Sequence, residues 1–262
     1  MENAVALRIT VLGSGTSAGV PMIGCHCAVC TSQDTRDKRS RSSIVINYRN
    51  RNILIDTSPE LRLQAVANSL DSIDGIVFTH AHADHIFGLD DVRRYNALLN
   101  APLPLYASRE TLDILQRVFP YAFTRQNEDR VFKPELIAKA ITGPFDLCGV
   151  LWRPIPLLHG RHRVLGFRVG AFAYCTDCSA VPPESLAMLH DLDALIIDGL
   201  RPKPHPTHFS FNQAMEIIQA VKPRRAFFTH LSHDAGHEEI EAGLPPHVRV
   251  CYDGMTIDLP AA

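Results

Sequence analysis

Residues 80–85, which read His-Ala-His-Ala-Asp-His, constrain this chain more than any other segment. They directly follow residues 75–79, an apolar run that predicts a buried strand. In an extended segment, residues i and i+2 point to the same side, so His80 and His82 can hold one metal ion together. The aspartate and the last histidine come after a turn and can face a second ion. Because four polar side chains on one tight loop have little packing purpose, the segment predicts a metal site at a strand end.

The same arrangement recurs at three other places. A histidine or an aspartate follows a short apolar run at His159, Asp177 and His230. A single histidine in this position is more often a hydrogen-bonded structural residue, but loops at one edge of a layered α/β fold can bring four such ends together. Two ions about 3.5–4 Å apart, bridged by a carboxylate and a water, would supply a hydroxide nucleophile and a Lewis acid. The set therefore predicts hydrolysis.

Short runs of β-forming residues alternate irregularly with helix-like stretches. The predicted strands are residues 8–13, 43–48, 52–56, 75–79, 103–107, 147–153, 164–169, 171–174, 194–198, 225–229 and 248–251. The predicted helices are residues 59–68, 90–99, 108–119, 183–189 and 211–221. Early hairpin-like pairs followed by strand–helix units indicate a mixed sheet, or a pair of sheets, with helices outside, which is an α/β (α+β) fold. No repeat or linker composition interrupts the chain, so we expect one domain over residues 1–262.

Composition narrows the class of protein further. Hydrophobic residues make up 46% of the chain and the formal net charge is −2. This balance predicts a globular protein without the basic field that drives sequence-independent binding of nucleic acid. The first residues carry no basic, apolar leader and no apolar run is long enough to span a membrane, so we expect a cytoplasmic protein.

The cysteines suggest a second metal site. Of seven cysteines, three lie close together at Cys25, Cys27 and Cys30, and metal ligation explains this trio better than a disulfide framework does. The thirteen histidines, several of them beside aspartates, also fit metal binding. The other four cysteines are expected to be small buried residues, namely Cys148, Cys175, Cys178 and Cys251.

With these residues in view, the sequence resembles the metallo-β-lactamase superfamily, whose H-x-H-x-D-H signature is followed downstream by a histidine, an aspartate and a histidine. The resemblance implies a four-layer αβ/βα sandwich with two mixed β-sheets. It implies one metal held by His80, His82 and His159, a second held by Asp84, His85 and His230, and Asp177 bridging both. Asp56 matches a family aspartate that orients a histidine ligand.

Within the superfamily, the chain is similar to the PhnP-like phosphoribosyl cyclic phosphate phosphodiesterases. The likeness is carried by residues 12–21, 24–30, 229–233 and 252–255. In that family a C-x-C-x-x-C triplet and a histidine three residues past the last active-site ligand hold a structural zinc, and the matching residues are Cys25, Cys27, Cys30 and His233. On physical grounds, three thiolates and an imidazole also form a closed tetrahedral zinc set. The active-site metals stay open, because histidine and aspartate ligand sets accept zinc, manganese, iron or nickel; zinc or manganese is expected.

A cyclic phosphodiester needs its leaving alkoxide protonated or bound to metal, so a histidine beyond the metal ligands is required. The resemblance assigns this role of general acid to His208, with His205 as a local competitor. Asp84 is the other expected catalytic residue, as a ligand of the second ion. Basic residues near these positions are candidate phosphate contacts, although a charged loop is more often a solvated face. They are Arg161, His162, Arg163 and Lys203, with Arg93 or Arg94 as further options unless these pair with Asp90 and Asp91.

The sequence thus predicts a dinuclear-metal phosphodiesterase acting on a small phosphodiester such as phosphoribosyl 1,2-cyclic phosphate. The alternatives are a cyclic-nucleotide phosphodiesterase, an RNA 3′-processing nuclease, a thioesterase or lactonase, and a cofactor-biosynthesis relative with a redox role or without catalysis. Neither a membrane nor a nucleic acid is an expected partner, since no basic arm is visible. The sequence leaves the oligomeric state open, although relatives often form homodimers.

Overall fold

Fourteen strands and seven α-helices form in the computed structural model, which describes residues 6–124 and 131–259. The strands are β1 (Leu7–Gly13), β2 (Ser43–Tyr48), β3 (Arg51–Ile55), β4 (Gly75–Val77), β5 (Leu103–Ala107), β6 (Leu136–Ala140), β7 (Phe145–Leu147), β8 (Val150–His159), β9 (His162–Val169), β10 (Phe172–Cys175), β11 (Ala194–Asp198), β12 (Arg225–Thr229), β13 (Val248–Val250) and β14 (Thr256–Leu259). The helices are α1 (Leu61–Ala67), α2 (Ala83–Ile86), α3 (Arg93–Leu99), α4 (Arg109–Val118), α5 (Pro183–Leu186), α6 (Phe211–Val221) and α7 (His237–Ala242).

The strands assemble into two mixed sheets of seven strands each. The order is β14-β1-β2-β3-β4-β5-β6 in the first sheet and β13-β12-β11-β10-β9-β8-β7 in the second. In each sheet one half is antiparallel, and the half that contains β3–β6 or β10–β13 is parallel. Parallel neighbours end at the same edge of a sheet, so the loops that follow them collect there.

A single apolar layer lies between the two sheets. Ile9 and Ile46 of the first sheet belong to one buried cluster with Trp152, Phe167 and Phe172 of the second. Trp152 is the largest fully buried side chain of the described residues. Removing this much apolar surface from water is the main favourable contribution to the packing of the sheets.

Helices cover the outer face of each sheet. On the first sheet, Leu61 of α1 and Leu112 of α4 pack into a second cluster with Ile76 of β4. On the second sheet, Ile218 of α6 joins a third cluster with Phe228 of β12. The layers therefore run helix, sheet, sheet, helix, which confirms the four-layer αβ/βα prediction. Among the described residues, no helix combines the length and the apolar character needed to cross a membrane.

Candidate metal centre

The predicted ligands gather at one edge of the sandwich, where strands from both sheets end. The segment after β4 supplies residues 80–85 from the first sheet. From the second sheet come His159 at the end of β8, Asp177 just after β10 and His230 just after β12. The four strand ends that the sequence predicted to converge therefore do converge, although they lie far apart in the chain.

The first group contains His80, His82 and His159, whose ligand atoms all lie within 4.8 Å of one another. His82 has extended backbone, with φ −68° and ψ 153°, so it projects to the same side as His80. Nε2 of His80 lies 2.9 Å from Nδ1 of His82. His159 is fixed from behind, because its Nδ1 lies 2.7 Å from the backbone oxygen of Thr207. Three imidazoles thus face one point.

The second group contains Asp84, His85, Asp177 and His230, all buried and with ligand atoms within 4.8 Å of one another. α2 places Asp84 and His85 on its buried side. The two oxygens of Asp177 point to different neighbours: Oδ2 lies 3.2 Å from Nε2 of His85, and Oδ1 lies 3.2 Å from Nε2 of His230. Oδ1 also lies 4.0 Å from Nε2 of His80, a member of the first group. Asp177 therefore stands between the two groups.

Burial and the buried carboxylates shift the pKa values of the histidines in this cluster in opposite directions. Burial lowers the pKa of His159 to about 4 and also lowers the pKa of His80 well below its usual value. These imidazoles are therefore neutral at pH 7 and present lone pairs, as metal ligands must. Burial acts in the same direction on His230, but Asp177 outweighs it and raises the pKa of His230 to about 10. A proton there offsets the buried carboxylate, and a metal ion would replace it.

Unpartnered buried atoms provide the test of fit for a metal. Nε2 of His85 and both ring nitrogens of His230 are buried but form no well-aligned hydrogen bond, although the two Nε2 atoms lie 3.2 Å from oxygens of Asp177. Such atoms are costly unless something else binds them. In addition, Asp177 and His230 adopt left-handed backbone with φ of 53° and 60°, a conformation that persists only where the surroundings fix it. Nitrogen and carboxylate donors held in this way fit divalent ions.

His208 lies beside both groups. Its Nδ1 is 2.7 Å from Oδ2 of Asp198, the last residue of β11, and its ring is 4.6 Å from the rings of His159 and His230. Asp198 engages Nδ1, which leaves Nε2 as the free nitrogen of a nearly buried imidazole. The loop ends directly afterwards, because Ser210 caps α6 in a capping box with Gln213. The segment from His208 to Ser210 is thus fixed at one end by the contact of His208 with Asp198 and at the other by the capping box of α6.

The competitor His205 lies farther out. Its ring is 5.3 Å from that of His208, and its Nδ1 lies 3.1 Å from Oγ1 of Thr207. It is partly exposed and belongs to none of the clusters that could hold a metal among the described residues. Asp198 carries no spacing signal in the sequence, so its contact with His208 emerges only from the fold.

The predicted phosphate contacts divide into two sets. Arg161, His162 and Arg163 lie exposed at the turn between β8 and β9, and the ring of His162 is 6.5 Å from that of His82. Lys203 is likewise exposed. Arg93, in contrast, forms an ion pair with Asp90 and lies over the ring of Phe132. The interpretation that Arg93 pairs with a neighbouring aspartate is therefore the correct one. Arg94 is exposed and makes no contact with the cluster among residues 6–124 and 131–259.

The thiolate trio meets a histidine from the far end of the chain. Nδ1 of His233 lies 3.3, 3.4 and 3.6 Å from the sulfurs of Cys25, Cys27 and Cys30. Zinc bonds of about 2.3 Å to sulfur and about 2.0 Å to nitrogen, at tetrahedral angles, give separations of about this size. The four side chains therefore fit a closed zinc site.

The remaining cysteines differ in part from expectation. Cys175, Cys178 and Cys251 are buried, but Cys148 is exposed. Cys148 and Gly149 form the turn between β7 and β8 with φ of 55° and 80°. The prediction of a buried Cys148 was wrong because the expected strand over residues 147–153 begins with this turn.

The fold and this array of histidines and aspartates define a metal-dependent hydrolase. A family model described as the β-lactamase superfamily domain matches residues 51–231, a span that contains all seven active-site candidates. The chain belongs to the metallo-β-lactamase superfamily and, through the structural likeness that follows, to its PhnP family. Divalent metal binding is the general property of this fold.

Known proteins extend the comparison. A crystal structure described as a new diphosphatase from the PhnP family has a TM-score of 0.91 and 41% identity, covering 97% of each chain. An octanoyltransferase of Porphyromonas gingivalis is 37% identical over 95% of this chain, which spans only about half of that relative's length (51%). Coenzyme PQQ synthesis protein B of Methylobacterium radiotolerans is 26% identical, covering 97% of this chain and 100% of that protein.

Proposed function

We propose that this chain hydrolyses a small phosphodiester, of which phosphoribosyl 1,2-cyclic phosphate is the type, with two divalent ions in the active site. The observation that carries the proposal is His208, held by Asp198 at 2.7 Å beside both ligand groups. An alkoxide leaves slowly unless it is protonated as its bond to phosphorus breaks. The imidazole of His208 is placed to donate that proton. The 41% identity to a protein described as a diphosphatase supports chemistry at phosphorus.

In this proposal His80, His82 and His159 would hold one ion, Asp84, His85 and His230 would hold the other, and Asp177, which stands between the two groups, would be available to either. Two divalent ions bound there would activate water for attack on phosphorus and offset the charge of the phosphate oxygens. Histidine and carboxylate ligands accept zinc or manganese. The sulfurs of Cys25, Cys27 and Cys30 with His233 would hold a structural zinc, since no position in a Cys3His set stays open for substrate.

The protein's own groups then complete the reaction. As the water oxygen bonds to phosphorus and the bond to the leaving oxygen breaks, Nε2 of His208 gives its proton to that oxygen. The carboxylate of Asp198 contacts Nδ1, which fixes the orientation of the ring and leaves Nε2 as the nitrogen that faces the leaving oxygen. The backbone N–H of Cys178 donates to Oδ2 of Asp198 at 2.9 Å, which fixes the direction of the carboxylate. Asp198 is therefore a positioning residue for His208.

The charge distribution supports an anionic substrate. No acidic residue occurs between Asp146 and Asp177, a stretch that includes Arg161, His162 and Arg163 at the turn beside His82. Positive charge at this turn attracts an anion to the neighbouring site even when the net charge of the chain is close to zero.

The test is hydrolysis of bis-p-nitrophenyl phosphate and of a ribose cyclic phosphate by metal-free protein, before and after addition of Mn²⁺ or Zn²⁺. We expect turnover only with metal. His208→Ala should reduce kcat by about 10²-fold or more on the cyclic phosphate and much less on the nitrophenyl ester, because nitrophenolate leaves without a proton. His205→Ala is the matched control and should retain most activity. Absence of metal-dependent turnover on both substrates would rule the proposal out.

Diphosphate hydrolysis is a second candidate, favoured by the description of the 41% identical relative. The same residues would serve, but the leaving group would be a phosphate, which departs without full protonation. A diphosphatase should therefore lose little kcat on its substrate when His208 is replaced by alanine. Comparing His208→Ala on a dinucleoside diphosphate and on the cyclic phosphate distinguishes the two candidates.

A further inference from the structure

A short connector links the two candidate metal groups. His230 belongs to the group with Asp84, and His233, three residues later, belongs to the thiolate group. The two groups share no side chain. The shortest link along the chain between the two groups is therefore the backbone of residues 230–233. We call this segment the connector.

Hydrogen bonds fix this connector on both sides. The N–H of Leu231 donates to the oxygen of Ser14 at 2.9 Å, and the N–H of Thr16 donates to the oxygen of Leu231 at 3.0 Å. The N–H of Ser232 donates to the oxygen of Leu200 at 2.9 Å. Because His230 at the start of the connector has φ +60°, these bonds hold a backbone conformation that is unfavourable in isolation.

The buried side chain of Arg39 adds further hydrogen bonds to the connector and to the residues that follow it. Its side chain is 0% exposed, and one Nη donates to the oxygen of Ser232 while the other donates to the oxygen of Ala235 at 3.1 Å. The second Nη also donates to Oδ1 of Asp37 at 2.9 Å, and that oxygen accepts the N–H of His237 at 2.8 Å. Arg39 follows the thiolate trio in the chain, so one buried cation ties the loop of the trio to the connector.

We propose that Arg39 is a positioning residue that couples the two metal sites, so that zinc bound by the cysteines and His233 raises the metal affinity of the group containing His230. With zinc bound, His233 is fixed, and Arg39 transmits that order to Ser232 and to the imidazole of His230. A ligand set that is already ordered loses less conformational entropy when it binds an ion. The proposal rests on the proposed function only in requiring that both groups bind metal, since it requires no hydrolysis.

The experiment is a double-mutant cycle with Mn²⁺ as the probe. Mn²⁺ prefers nitrogen and oxygen donors to thiolates, so the free Mn²⁺ signal in electron paramagnetic resonance reports the active-site affinity. Four proteins are compared: the unchanged chain and Arg39→Met after loading with one equivalent of zinc, and Cys27→Ser and the double variant without zinc, because zinc that cannot bind the thiolates would compete with Mn²⁺ for the active-site ligands. We expect each single variant to weaken Mn²⁺ binding about tenfold, within the usual range of coupling between sites. The double variant should be no weaker than either single variant.

Two results would overturn the coupling: an unchanged Mn²⁺ affinity in Cys27→Ser, or losses that multiply in the double variant. Arg36→Met is the matched control. Arg36 lies on the same loop and pairs with Asp34 and Glu238, which are not part of the connector, so its loss should leave the affinity unchanged. Arg39→Lys should restore part of it, since an ammonium group can still donate to the two carbonyls.

If Arg39→Met does not fold, Asp37→Asn replaces it in the cycle. This variant keeps the size of Asp37 but removes its negative charge beside Arg39, and a smaller loss in the same direction is expected. Hydrolysis of bis-p-nitrophenyl phosphate is measured separately on each protein. A protein that binds Mn²⁺ with the predicted pattern but hydrolyses nothing would refute the proposed function and leave the coupling intact.

Discussion

Oδ2 of Asp56 lies 2.7 Å from Nδ1 of His85, and neither side chain reaches solvent. The same carboxylate accepts the N–H of Thr79 at 2.9 Å and the hydroxyl of Thr79 at 2.8 Å. That hydroxyl oxygen lies 2.9 Å from Nδ1 of His80. One aspartate therefore orients a histidine from each ligand group, His85 directly and His80 through Thr79.

Replacing this carboxylate should weaken metal binding at both positions. For Asp56→Asn we expect a 10- to 100-fold loss of Mn²⁺ affinity, the usual effect of losing a group that orients metal ligands. Equilibrium dialysis followed by elemental analysis measures the bound metal. Asp71→Asn, which changes an exposed aspartate, is the control. Equal metal content in the two variants would contradict this role of Asp56.

The effect of replacing Asp198 on kcat should depend on how strongly the leaving group of the substrate needs a proton. Asn at this position keeps the size of the side chain but removes the carboxylate that fixes the tautomer and orientation of the His208 ring. We expect kcat of Asp198→Asn to fall about 10²-fold on an alkyl phosphodiester and only slightly on the nitrophenyl ester. Combining it with His208→Ala should add no further loss, because both changes remove one function. Multiplicative losses would show that Asp198 acts elsewhere.

The thiolate cluster should show an unusual pH dependence before it binds metal. The N–H of Cys30, 3.4 Å from the Cys27 sulfur, together with His233, lowers the pKa of Cys27 to about 6. Since a lowered pKa favours the charged form, Cys27 is mainly thiolate above pH 6. Its alkylation by iodoacetamide in metal-free protein should reach half its maximal rate near pH 6, as followed by mass spectrometry of the peptide. Zinc should protect it, and a midpoint above pH 8 would refute the assignment.

Gly160 should be needed for both stability and metal affinity. It has φ +63°, and a Cβ there would lie 2.9 Å from Cγ2 of Thr207, the residue whose oxygen contacts His159. Gly170 also has positive φ, +56°, but its Cβ would meet open space. Both Gly→Ala variants should lose about 1 kcal/mol of unfolding free energy from backbone strain. Only Gly160→Ala should also bind less metal, as measured by equilibrium dialysis. An equal metal affinity of the two variants would mean that Thr207 can shift without moving His159.

The strands were largely predictable, and the main errors have a physical cause. Ser43–Tyr48 and Ala194–Asp198 match the predicted ranges, since runs of apolar β-formers fix them. β8 continues through Pro154 and Pro156 to His159, although proline cannot donate to a ladder. β7 pairs only as far as Trp152, so these prolines lie where that side of β8 has no partner strand among the described residues. β6, whose short apolar run is interrupted by Lys139, and β14, in which polar and apolar residues alternate over only four positions, were missed, as were the short strand β7 and the short helices α2 and α7.

The site was predictable as far as clustered or strand-end residues allowed. The spacing of the histidines and the aspartate in residues 80–85 predicts a metal site, and Asp177 is a candidate because it follows an apolar run. Arg39 and Thr207 carry no such signal, because what each contacts lies 193 and 48 residues away in the chain. Asp198 was visible as the end of a strand, but its role depends on the position of His208, which only the packed loop defines.

The ligands come from both sheets, and this has a consequence for the order in which the molecule becomes active. An ion held by His85 and His230 is a crosslink between parts of the chain about 145 residues apart, comparable in span to a long-loop disulfide. Such a link cannot form until both halves of the sandwich have docked. Metal loading would therefore report on assembly: a chain with misdocked halves would lack the complete candidate ligand set and could not bind the ion that the proposed reaction requires.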